Sequence, residues 1–437
     1  MKKMESRALL CLIMAAALIA GLGVFIVKLV INGGTWASFY ANTHVYSEGR
    51  LAVGAVYDRN GELLLKNDSE GQHYNEDYGI RRATLHVVGD KGQNISTGAN
   101  YAFRSRIIGY NIVTGTKGTL LGSGRDVKLT IDAQASKIAY NALNGYDGFV
   151  GVYNYKTGEI LCLVSSPGFD PESEEEARNA ESGSYINKVI SATATPGSTF
   201  KLVTTAAALE NIPDINEWSF KCTGSYEIEG EKVTCETPHG TVDIYGALSN
   251  SCNCAYSSLA VEMGGEVMQQ TVDKLGLTSS YDINGIKSVP GSFNFDTYNI
   301  NLGWAGIGQF EDQVNPLSMM VYIGAIAGGG EAAEPCILQG SSSGKIRLLE
   351  ADTAQQIGNM MRNNVVSNYG DQNYPGLELH AKSGTAEVGR GKAPHSWFCG
   401  FSGDYAFVVC VENGGYGAQV AGPVANRVLQ QIRGAEK

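Results

Sequence analysis

The chain has 437 residues, of which 43% are hydrophobic and 18% charged, so it is long enough for about two folded domains and too apolar to be disordered. Its formal net charge is −11, and it contains no Lys/Arg run or basic patch, which argues against nucleic-acid binding. This balance fits a globular domain outside the membrane and does not by itself indicate an activity.

The first predicted element is a membrane anchor. An uncharged stretch covers residues 8–27, and about 20 helical residues at ~1.5 Å each cover a ~30 Å hydrocarbon core. Lys2, Lys3 and Arg7 precede it. The positive-inside rule therefore predicts a cytoplasmic tail at 1–7 and an extracytoplasmic location for everything after the anchor. A cleaved signal peptide is the alternative, but its apolar region would be shorter and would end at a small-residue cleavage site.

The segment from residue 28 to residue 128 is predicted to be a small β-rich module, such as a pedestal or a dimerisation-like unit. It is polar and rich in glycine, and no pattern of catalytic residues stands out in it. A Gly-Ser-Gly sequence at 122–124 predicts the boundary with the next domain. The predicted elements are a linker, a hairpin and two short strands or loops, at residues 28–48, around Asn60-Gly61, at Thr84–Val88 and at Ser105–Tyr110.

Residues 129–437 are predicted to form one α+β domain, in which helices cover both faces of an antiparallel sheet. Strands come first, then helices, then three consecutive strands and a final helix, an order typical of this class. The predicted strands are Val127–Ile131, Gly148–Tyr155, Glu159–Val164, Glu378–Val388, His395–Phe401 and Ala406–Glu412. The predicted helices are Ala133–Leu143, Leu202–Leu209, Cys254–Met263 and Val420–Arg433.

A serine and a lysine one helical turn apart form the first candidate site. Ser198-Thr199-Phe200-Lys201 follows the turn signal Pro196-Gly197 and precedes the apolar run Leu202–Leu209. Residues three apart share a helix face, so the lysine amine can take the proton of the serine hydroxyl. The amine must be neutral to do so, and burial, the helix N-terminus and a second cation such as Lys382 all lower its pKa.

Two further patterns accompany this pair. Ser251 and Asn253 lie just before a predicted helix, where they equally fit an N-cap with a neighbouring turn residue. Lys382-Ser383-Gly384-Thr385 lies on a predicted strand, which places its first and third residues on one face and its second and fourth on the other. An ammonium and two hydroxyls suit a substrate carboxylate, and Gly384 would let a substrate backbone approach closely.

The same short patterns also occur elsewhere in the chain, in different contexts. Ser342-Ser343-Gly344-Lys345 repeats S-x-x-K in a Gly/Ser loop, which also holds a G-x-S-x-G match without a strand-turn-helix setting. Ser292-Phe293-Asn294 repeats S-x-N, and Lys156-Thr157-Gly158 repeats K-T-G as a predicted hairpin turn. His395 is predicted to be a strand-edge or packing residue rather than a base. The sequence holds no H-E-x-x-H motif and no Walker loop.

The nine cysteines show no paired C-x-x-C spacing, and no metal site is predicted. Cys222 and Cys235 flank a predicted hairpin around Glu229-Gly230-Glu231. An extracytoplasmic location permits a disulfide between them, and buried free thiols are the alternative. Cys252 and Cys254 are too close in sequence to bridge comfortably on a helix.

The three patterns together resemble the active site of penicillin-binding proteins and serine β-lactamases. From about Leu129 to Ile432 the chain resembles a class B penicillin-binding protein, the transpeptidase type of the penicilloyl serine transferase family. It departs from that family's usual pattern at Cys252 and Cys254, which are unusual choices around the second motif. Further matching segments are Tyr57-Asp58-Arg59-Asn60-Gly61, Thr157-Gly158-Glu159-Ile160-Leu161, Ser166-Pro167-Gly168-Phe169-Asp170-Pro171, Pro196–Lys201, Gly308-Gln309 and His395-Ser396-Trp397-Phe398.

The resemblance implies peptidoglycan D,D-transpeptidation with neither a metal nor an organic cofactor. Ser198 would attack the D-Ala-D-Ala bond of a stem pentapeptide, release D-alanine and pass the acyl group to an amine of a neighbouring stem. β-Lactams would acylate the same serine because they resemble the donor. The implied partners are peptidoglycan stem peptides, β-lactams and a membrane glycosyltransferase of the cell-wall machinery. The segment before the catalytic domain is short, so the sequence does not decide whether this protein docks to such a glycosyltransferase.

The resemblance also implies a role for each site residue. Lys201 would be the base and Ser251 the proton relay to the leaving amine. Asn253 and Lys382 would position the substrate and tune the local charge. Ser383 and Thr385 would bind the substrate carboxylate, and Gly384 would let the substrate backbone approach closely. The backbone N–H groups of Ser198 and Thr385 would form the oxyanion hole.

Other functions stay open at this point. A D,D-carboxypeptidase or a class D-like β-lactamase would use the same acylation with water as the acceptor, although the E-x-x-L-N motif of class A lactamases is not recognisable. A non-catalytic cell-division scaffold or β-lactam sensor would keep the fold without turnover. A sensor would need a cytoplasmic output domain, whereas seven residues precede the predicted anchor. A septal, an elongation and a sporulation role are all compatible with the sequence.

Overall fold

The computed structural model describes residues 2–37, 54–68, 71–107, 126–389 and 391–434. Two compact units make up the chain. One contains Met1–Val56, Leu65–His73 and Phe103–Val127, and the other contains Tyr57–Leu64, Tyr74–Ala102 and Lys128–Lys437. The boundary predicted at 122–124 lies outside the described residues, and the predicted domain limits stay a prediction.

The first helix, α1 (Lys2–Ala37), contains the predicted anchor. Its stretch Met4–Gly34 has a mean hydropathy of 2.8 over its most apolar window and is long enough to cross a membrane. The predicted linker is wrong over residues 28–37, which are helical. The apolar pair Val30-Ile31 continues the pattern past a single lysine, and no proline interrupts the helix. The rest of the predicted linker lies outside the described residues.

The remaining helices and strands are short to medium in length. The helices are α2 (Tyr78–Val88), α3 (Ala99–Ala102), α4 (Arg104–Ile107), α5 (Ala133–Ala142), α6 (Glu174–Arg178), α7 (Lys188–Ser191), α8 (Lys201–Asn211), α9 (Ile244–Ser249), α10 (Asn253–Lys274), α11 (Asn299–Ala305), α12 (Pro316–Ala327), α13 (Ala351–Asn364) and α14 (Gly417–Gly434). The strands are β1 (Val56–Tyr57), β2 (Leu63–Asp68), β3 (Gly71–Tyr74), β4 (Val127–Lys128), β5 (Gly148–Asn154), β6 (Ile160–Ser166), β7 (Phe220–Cys222), β8 (Ser225–Ile228), β9 (Glu231–Thr234), β10 (Gly240–Val242), β11 (Asp282–Ile283), β12 (Ile286–Lys287), β13 (Glu331–Ala333), β14 (Lys345–Arg347), β15 (His380–Ala386), β16 (His395–Ser402) and β17 (Tyr405–Val411).

The prediction of a strand or loop at Thr84–Val88 is wrong, because these residues form the last turns of helix α2. The Asp77 carboxylate caps this helix by accepting hydrogen bonds from two backbone N–H groups of its first turn. The apolar run at the end of α2 is buried on every side, so its pattern carries no period that would separate helix from strand. Within the segment predicted at Ser105–Tyr110, residues up to Ile107 belong to the short helix α4, and the rest lies outside the described residues.

A five-stranded antiparallel sheet forms the centre of the second unit, in the order β15-β16-β17-β5-β6. The three consecutive strands near the C-terminus therefore join the two strands that follow α5. The predicted hairpin turn at Lys156-Thr157-Gly158 connects β5 to β6, as expected. This arrangement brings the Lys-Ser-Gly-Thr sequence to an edge of the sheet, on β15.

Helices cover both faces of this sheet, which confirms the predicted fold class. On one face, α5 and α14 pack through residues such as Ala139 and Val428 against alternate sheet residues such as Phe407 and Val409. On the other face, α12 contacts the central strands. A Cβ added at Gly151 would lie 3.1 Å from Met320 Sδ of α12, so this glycine lets the helix pack closely on the sheet.

Candidate active site

The first motif lies on a tight turn that leads into a buried helix. Gly197–Phe200 forms a 3₁₀ turn, and α8 follows at Lys201. The Thr199 hydroxyl donates to the Pro196 carbonyl at 2.8 Å, which holds the turn. Residues 202–208 of α8 are all buried, as the apolar run predicted. Ser198 itself is half-buried, so a substrate can reach its hydroxyl while the rest of the turn is fixed by packing.

The amine of Lys201 is the centre of the candidate site. Its side chain is 0% exposed, and its Nζ lies 3.0 Å from Ser198 Oγ. The same Nζ lies 2.7 Å from the Ser251 carbonyl oxygen, 3.1 Å from Ser251 Oγ and 2.7 Å from Asn253 Oδ1. The two residues predicted from the second motif therefore meet the serine–lysine pair of the first.

These contacts suit a neutral amine. The Ser251 carbonyl oxygen and Asn253 Oδ1 can only accept, so they take the two N–H groups that a neutral amine offers. The Asn253 amide orientation is fixed from the other side, because its Nδ2 donates to the Thr234 carbonyl at 2.9 Å. A neutral amine then keeps its lone pair for a hydroxyl proton, and the hydroxyl oxygens of Ser198 and Ser251 lie 3.0 and 3.1 Å from Lys201 Nζ. Burial, and after it the charge of Lys382, lowers the pKa of Lys201 well below its usual value.

Ser251 Oγ lies between two amines. Its distance to Lys201 Nζ and its distance to Lys382 Nζ are both 3.1 Å. Lys382 is 1% exposed, and burial lowers the pKa of its amine to about 8. Ser251 has a φ of +49°, a left-handed conformation that few residues other than glycine adopt. The loop thus holds a strained backbone at the point where its hydroxyl bridges two lysines.

The third motif follows the predicted alternation along β15. Lys382 and Gly384 are buried, whereas Ser383 and Thr385 are half-exposed. The Ser383 hydroxyl lies 3.1 Å from the hydroxyl of Tyr369, which also accepts from the Ser383 backbone N–H at 3.0 Å. Sequence reasoning missed Tyr369, because the π-helical turn that carries it has no sequence signal of its own.

The third motif lies directly against the turn that carries Ser198. A Cβ added at Gly384 would lie 2.9 Å from the Pro196 carbonyl oxygen and 2.9 Å from Thr199 Cγ2. A Cβ added at Gly197 would lie 2.8 Å from the Thr385 carbonyl oxygen. The close approach at Gly384 is therefore made by the protein's own turn, and an approach of substrate backbone there stays a prediction.

Replacement of Gly197 by alanine is expected to slow acylation by roughly 10²-fold, because a misplacement of about 1 Å at a reacting group has that effect. Gly197 has a φ of +54°, so the substitution also costs about 1 kcal/mol of folding free energy. Gly183 provides the matched control, since its φ is +92° and a Cβ there would meet nothing within 4 Å. Gly183→Ala should lose stability in urea unfolding from its φ alone and keep the acylation rate with a fluorescent penicillin. Equal rates in the two variants would contradict the close packing of turn and strand.

Two of the repeated short patterns lie in secondary structure that fits their predicted contexts, whereas Phe293 of the Ser292-Phe293-Asn294 repeat packs against Phe200, with ring centroids 5.6 Å apart. Residues 341–344 form a loop before β14, and Lys156-Thr157-Gly158 is a hairpin turn. His395 begins strand β16, and its Nδ1 accepts from the Asn413 backbone N–H at 3.0 Å. It therefore serves the strand edge, as predicted.

The predicted disulfide is not formed in this structure. Cys222 Sγ and Cys235 Sγ lie 3.8 Å apart, far beyond the ~2.05 Å of a bonded pair. Cys235 Sγ also lies 3.7 Å from Cys252 Sγ, and Cys222 Sγ lies 3.5 Å from His239 Nδ1. Three sulfur atoms and one imidazole nitrogen thus gather next to the second motif. The prediction that the chain has no metal site did not foresee this group, because its spacing matches no short metal motif.

Comparisons with known proteins give one consistent result. A family model of the penicillin-binding protein transpeptidase domain matches residues 148–430. The peptidoglycan D,D-transpeptidase PbpA of Mycolicibacterium smegmatis is 26% identical over 356 residues, which cover 70% of this chain and 72% of that protein. Stage V sporulation protein D of Bacillus subtilis is 26% identical over 292 residues, covering 60% of this chain and 44% of that protein. The crystal structure of PBPA from Mycobacterium tuberculosis matches with a TM-score of 0.78 at 23% identity, covering 88% of this chain and 100% of that chain.

The family model matches well over half of the chain and includes all three motifs, so this protein belongs to the penicillin-binding protein transpeptidase family. The predicted class B penicillin-binding protein is thereby confirmed. The solved structures confirm the fold.

Proposed function

We propose that this protein cross-links peptidoglycan stem peptides through an acyl-enzyme formed on Ser198. The enzyme class is that of the family, a serine D,D-transpeptidase. Relatives of this chain from Mycobacterium tuberculosis carry that name, and structures of penicillin-binding protein A from that organism were solved as acyl-enzymes of penicillin G and of ceftriaxone. The observation that supports the assignment of residues is the contact of a single buried amine, Lys201 Nζ, with Ser198, Ser251 and Asn253.

The acylation step uses Ser198 and Lys201. The neutral amine takes the hydroxyl proton as Ser198 Oγ forms a bond to the carbonyl carbon of the penultimate D-alanine. Negative charge develops on the carbonyl oxygen, and the backbone N–H groups of Ser198 and Thr385 are proposed to stabilise it. Each such donor contributes about 2.7–4 kcal/mol to transition-state stabilisation in other enzymes. The packing of Gly197 against Thr385 supports this pair, because it brings the two backbone segments together.

Departure of the leaving group uses Ser251. The bond between the carbonyl carbon and the nitrogen of the terminal D-alanine breaks, and that nitrogen takes a proton. Ser251 Oγ contacts both lysine amines, so it can donate its own proton and recover one from Lys201. The amine of a second stem peptide then attacks the acyl-enzyme in the reverse sense, which regenerates the Ser198 hydroxyl.

Recognition of the donor uses the edge strand β15. The half-exposed hydroxyls of Ser383 and Thr385 are proposed to bind the terminal carboxylate, and the nearby Lys382 amine adds positive charge. Asn253 holds Lys201 and the donor backbone. Tyr369 joins this set as a positioning residue, because its hydroxyl fixes both the side chain and the backbone N–H of Ser383.

The membrane arrangement completes the proposal. Helix α1 is long and apolar enough to anchor the protein in a membrane. The basic residues before the apolar stretch support a cytoplasmic N-terminus and an extracytoplasmic catalytic domain, where the stem peptides are found. A membrane glycosyltransferase that supplies the glycan strands is the proposed partner, on the basis of the family resemblance.

The test is to follow the fate of the acyl group in the purified full-length protein. We expect one benzylpenicillin adduct per chain by intact mass, with an adduct lifetime far longer than the acylation time. With a stem pentapeptide and a suitable amine acceptor, we expect D-alanine release together with a cross-linked dimer.

Two outcomes would contradict this proposal. Rapid loss of the adduct with hydrolysed penicillin in solution would indicate a β-lactamase. Release of D-alanine without any dimer at saturating acceptor would indicate a carboxypeptidase.

A further inference from the structure

The sulfur and imidazole group beside the second motif has the shape of a metal site. The ligand atoms of Cys222, Cys235, His239 and Cys252 all lie within 4.8 Å of one another. The Cys222–Cys235 and Cys235–Cys252 sulfur distances are 3.8 and 3.7 Å, and the Cys222 sulfur to His239 Nδ1 distance is 3.5 Å. A tetrahedral Zn²⁺ with ~2.3 Å sulfur and ~2.0–2.1 Å nitrogen bonds has ligand edges of about 3.8 and about 3.6 Å.

We propose that this protein binds one structural Zn²⁺ through Cys222, Cys235, Cys252 and the Nδ1 atom of His239. Three thiolates and one imidazole in a tetrahedral arrangement are typical of structural zinc. The spacing, C-x₁₂-C-x₃-H-x₁₂-C, differs from common zinc motifs because the ligands come from three separate elements. Binding converts three thiols to thiolates and releases their protons to solvent.

The strands that surround the proposed site form a region with little stabilisation of its own. The stretch from β7 to β10 consists of two-stranded ribbons, in which β7 pairs with β10 and β8 pairs with β9. Isolated two-stranded ribbons are marginally stable in water. The strands of these ribbons bury only four of their described residues, namely Cys222, Ile228, Val233 and Val242. A bound metal supplies the stability that so small an apolar core lacks.

The backbone around the site already contacts the sulfur atoms as it does in thiolate sites. The Cys252 sulfur accepts from the Ala255 N–H at 3.4 Å, and the Cys235 sulfur accepts from the Cys254 N–H at 3.4 Å. Such outer contacts orient ligands and stabilise their anionic form. Cys252 is also the N-cap residue of helix α10. The metal would therefore cross-link the two-stranded ribbons to the start of that helix.

Cys254 is close to the cluster but is not assigned as a ligand. Its sulfur lies 3.4 Å from the Cys235 sulfur, shorter than the ~3.8 Å edge of a zinc tetrahedron. It also donates to the Val233 carbonyl at 3.6 Å, which is the behaviour of a protonated thiol. The assignment therefore distinguishes two neighbouring cysteines that are both buried.

The metal would also affect catalysis by positioning Ser251 and Asn253. This effect on catalysis rests on the proposed function. Ser251 and Asn253 flank Cys252, and both contact the Lys201 amine. A metal on Cys252 would restrain the backbone between Ser251 and Asn253, where Ser251 has a left-handed φ of +49°. Loss of the metal should therefore move the groups that Lys201 contacts, with acylation slowed by up to about 10²-fold.

The test of the site is the metal content of the full-length protein purified without chelator. Elemental analysis by mass spectrometry should find one zinc per chain. Cys222→Ala and His239→Ala should lose most of it, and His239→Cys should keep it. Cys254→Ala and the distant Cys336→Ala are matched controls that should keep the full content.

A second measurement guards against misfolding of the ligand variants. Wild-type protein in which Co²⁺ replaces Zn²⁺ should show thiolate-to-cobalt charge transfer and the strong d–d bands of a tetrahedral site. Absence of stoichiometric zinc together with absence of this spectrum would overturn the proposal. So would another element at stoichiometry, or a mass lower by two hydrogens from a Cys222–Cys235 disulfide.

The proposed zinc site and the proposed transpeptidase function can be tested independently of each other. Metal content and the cobalt spectrum are read without any substrate, so they decide the zinc site whatever the enzyme does. Penicillin acylation of the zinc-loaded protein decides the proposed function. An unchanged acylation rate after zinc removal would confine the metal to a role in stability and overturn its proposed hold on the Ser251 loop.

Discussion

Replacement of Ser198 by alanine is expected to abolish the covalent benzylpenicillin adduct. The variant keeps the turn, the lysine contacts to Ser251 and Asn253, and the buried helix, but it has no oxygen to form the acyl bond. Loss of the nucleophile in a comparable serine enzyme lowers kcat by about 10⁶-fold. Intact mass after incubation with benzylpenicillin is the measurement, with wild type as reference.

The control for this variant is Ser342→Ala. Ser342 begins the second S-x-x-K sequence of the chain and lies in a loop before β14. It should keep a full adduct, since Ser342 is exposed in a loop and Lys345 is exposed on strand β14 rather than buried beside it. An adduct that persists in Ser198→Ala and disappears in Ser342→Ala would identify Ser342, and not Ser198, as the nucleophile.

Replacement of Lys201 by arginine is expected to lower the acylation rate by roughly 10² to 10⁴-fold, the usual contribution of a general base. Arginine keeps the positive charge at every accessible pH and so cannot accept the Ser198 proton. The surface residue Lys274, which pairs with Glu210 at 2.7 Å, provides the control. Lys274→Arg should acylate at the wild-type rate.

The pH dependence of the acylation rate is an independent test of Lys201 as the general base. Burial and the charge of Lys382 lower the pKa of Lys201 well below its usual value, so the amine becomes neutral at a lower pH than an ordinary lysine amine does. The wild-type acylation rate should fall as the pH drops through that pKa, since the protonated amine is no base. The residual rate of Lys201→Arg should show no such fall. A wild-type rate that rises on acidification would contradict Lys201 as the base.

The sequence predicted the parts of the site that depend on local spacing. A serine and a lysine three residues apart before a buried apolar run could only share one helix face, and the structure places Ser198 and Lys201 in that way. The strand alternation likewise predicted that Lys382 and Gly384 share one face and that Ser383 and Thr385 share the other, and the burial of these four residues follows that alternation. Local periodicity decides such features, so a single sequence suffices for them.

Features that depend on packing between distant elements could not be predicted. The prediction of a short strand or loop at Thr84–Val88 was wrong because complete burial removes the periodic signal, and the helix is determined by its Asp77 cap and its neighbours. Tyr369 and the grouping of Cys222 with His239 arise where separate elements meet. No spacing rule covers them, because the distance along the chain is unrelated to the distance in space.

The contact between Gly384 and the turn that carries Ser198 bears on how this protein could evolve antibiotic resistance. Any side chain at this glycine would press on the carbonyl of Pro196 and on Thr199, and so would impair the natural cross-linking reaction as much as drug attack. Substitution of Gly384 is therefore an unfavourable route to β-lactam resistance, because the same change would disturb the turn on which the proposed cross-linking reaction depends.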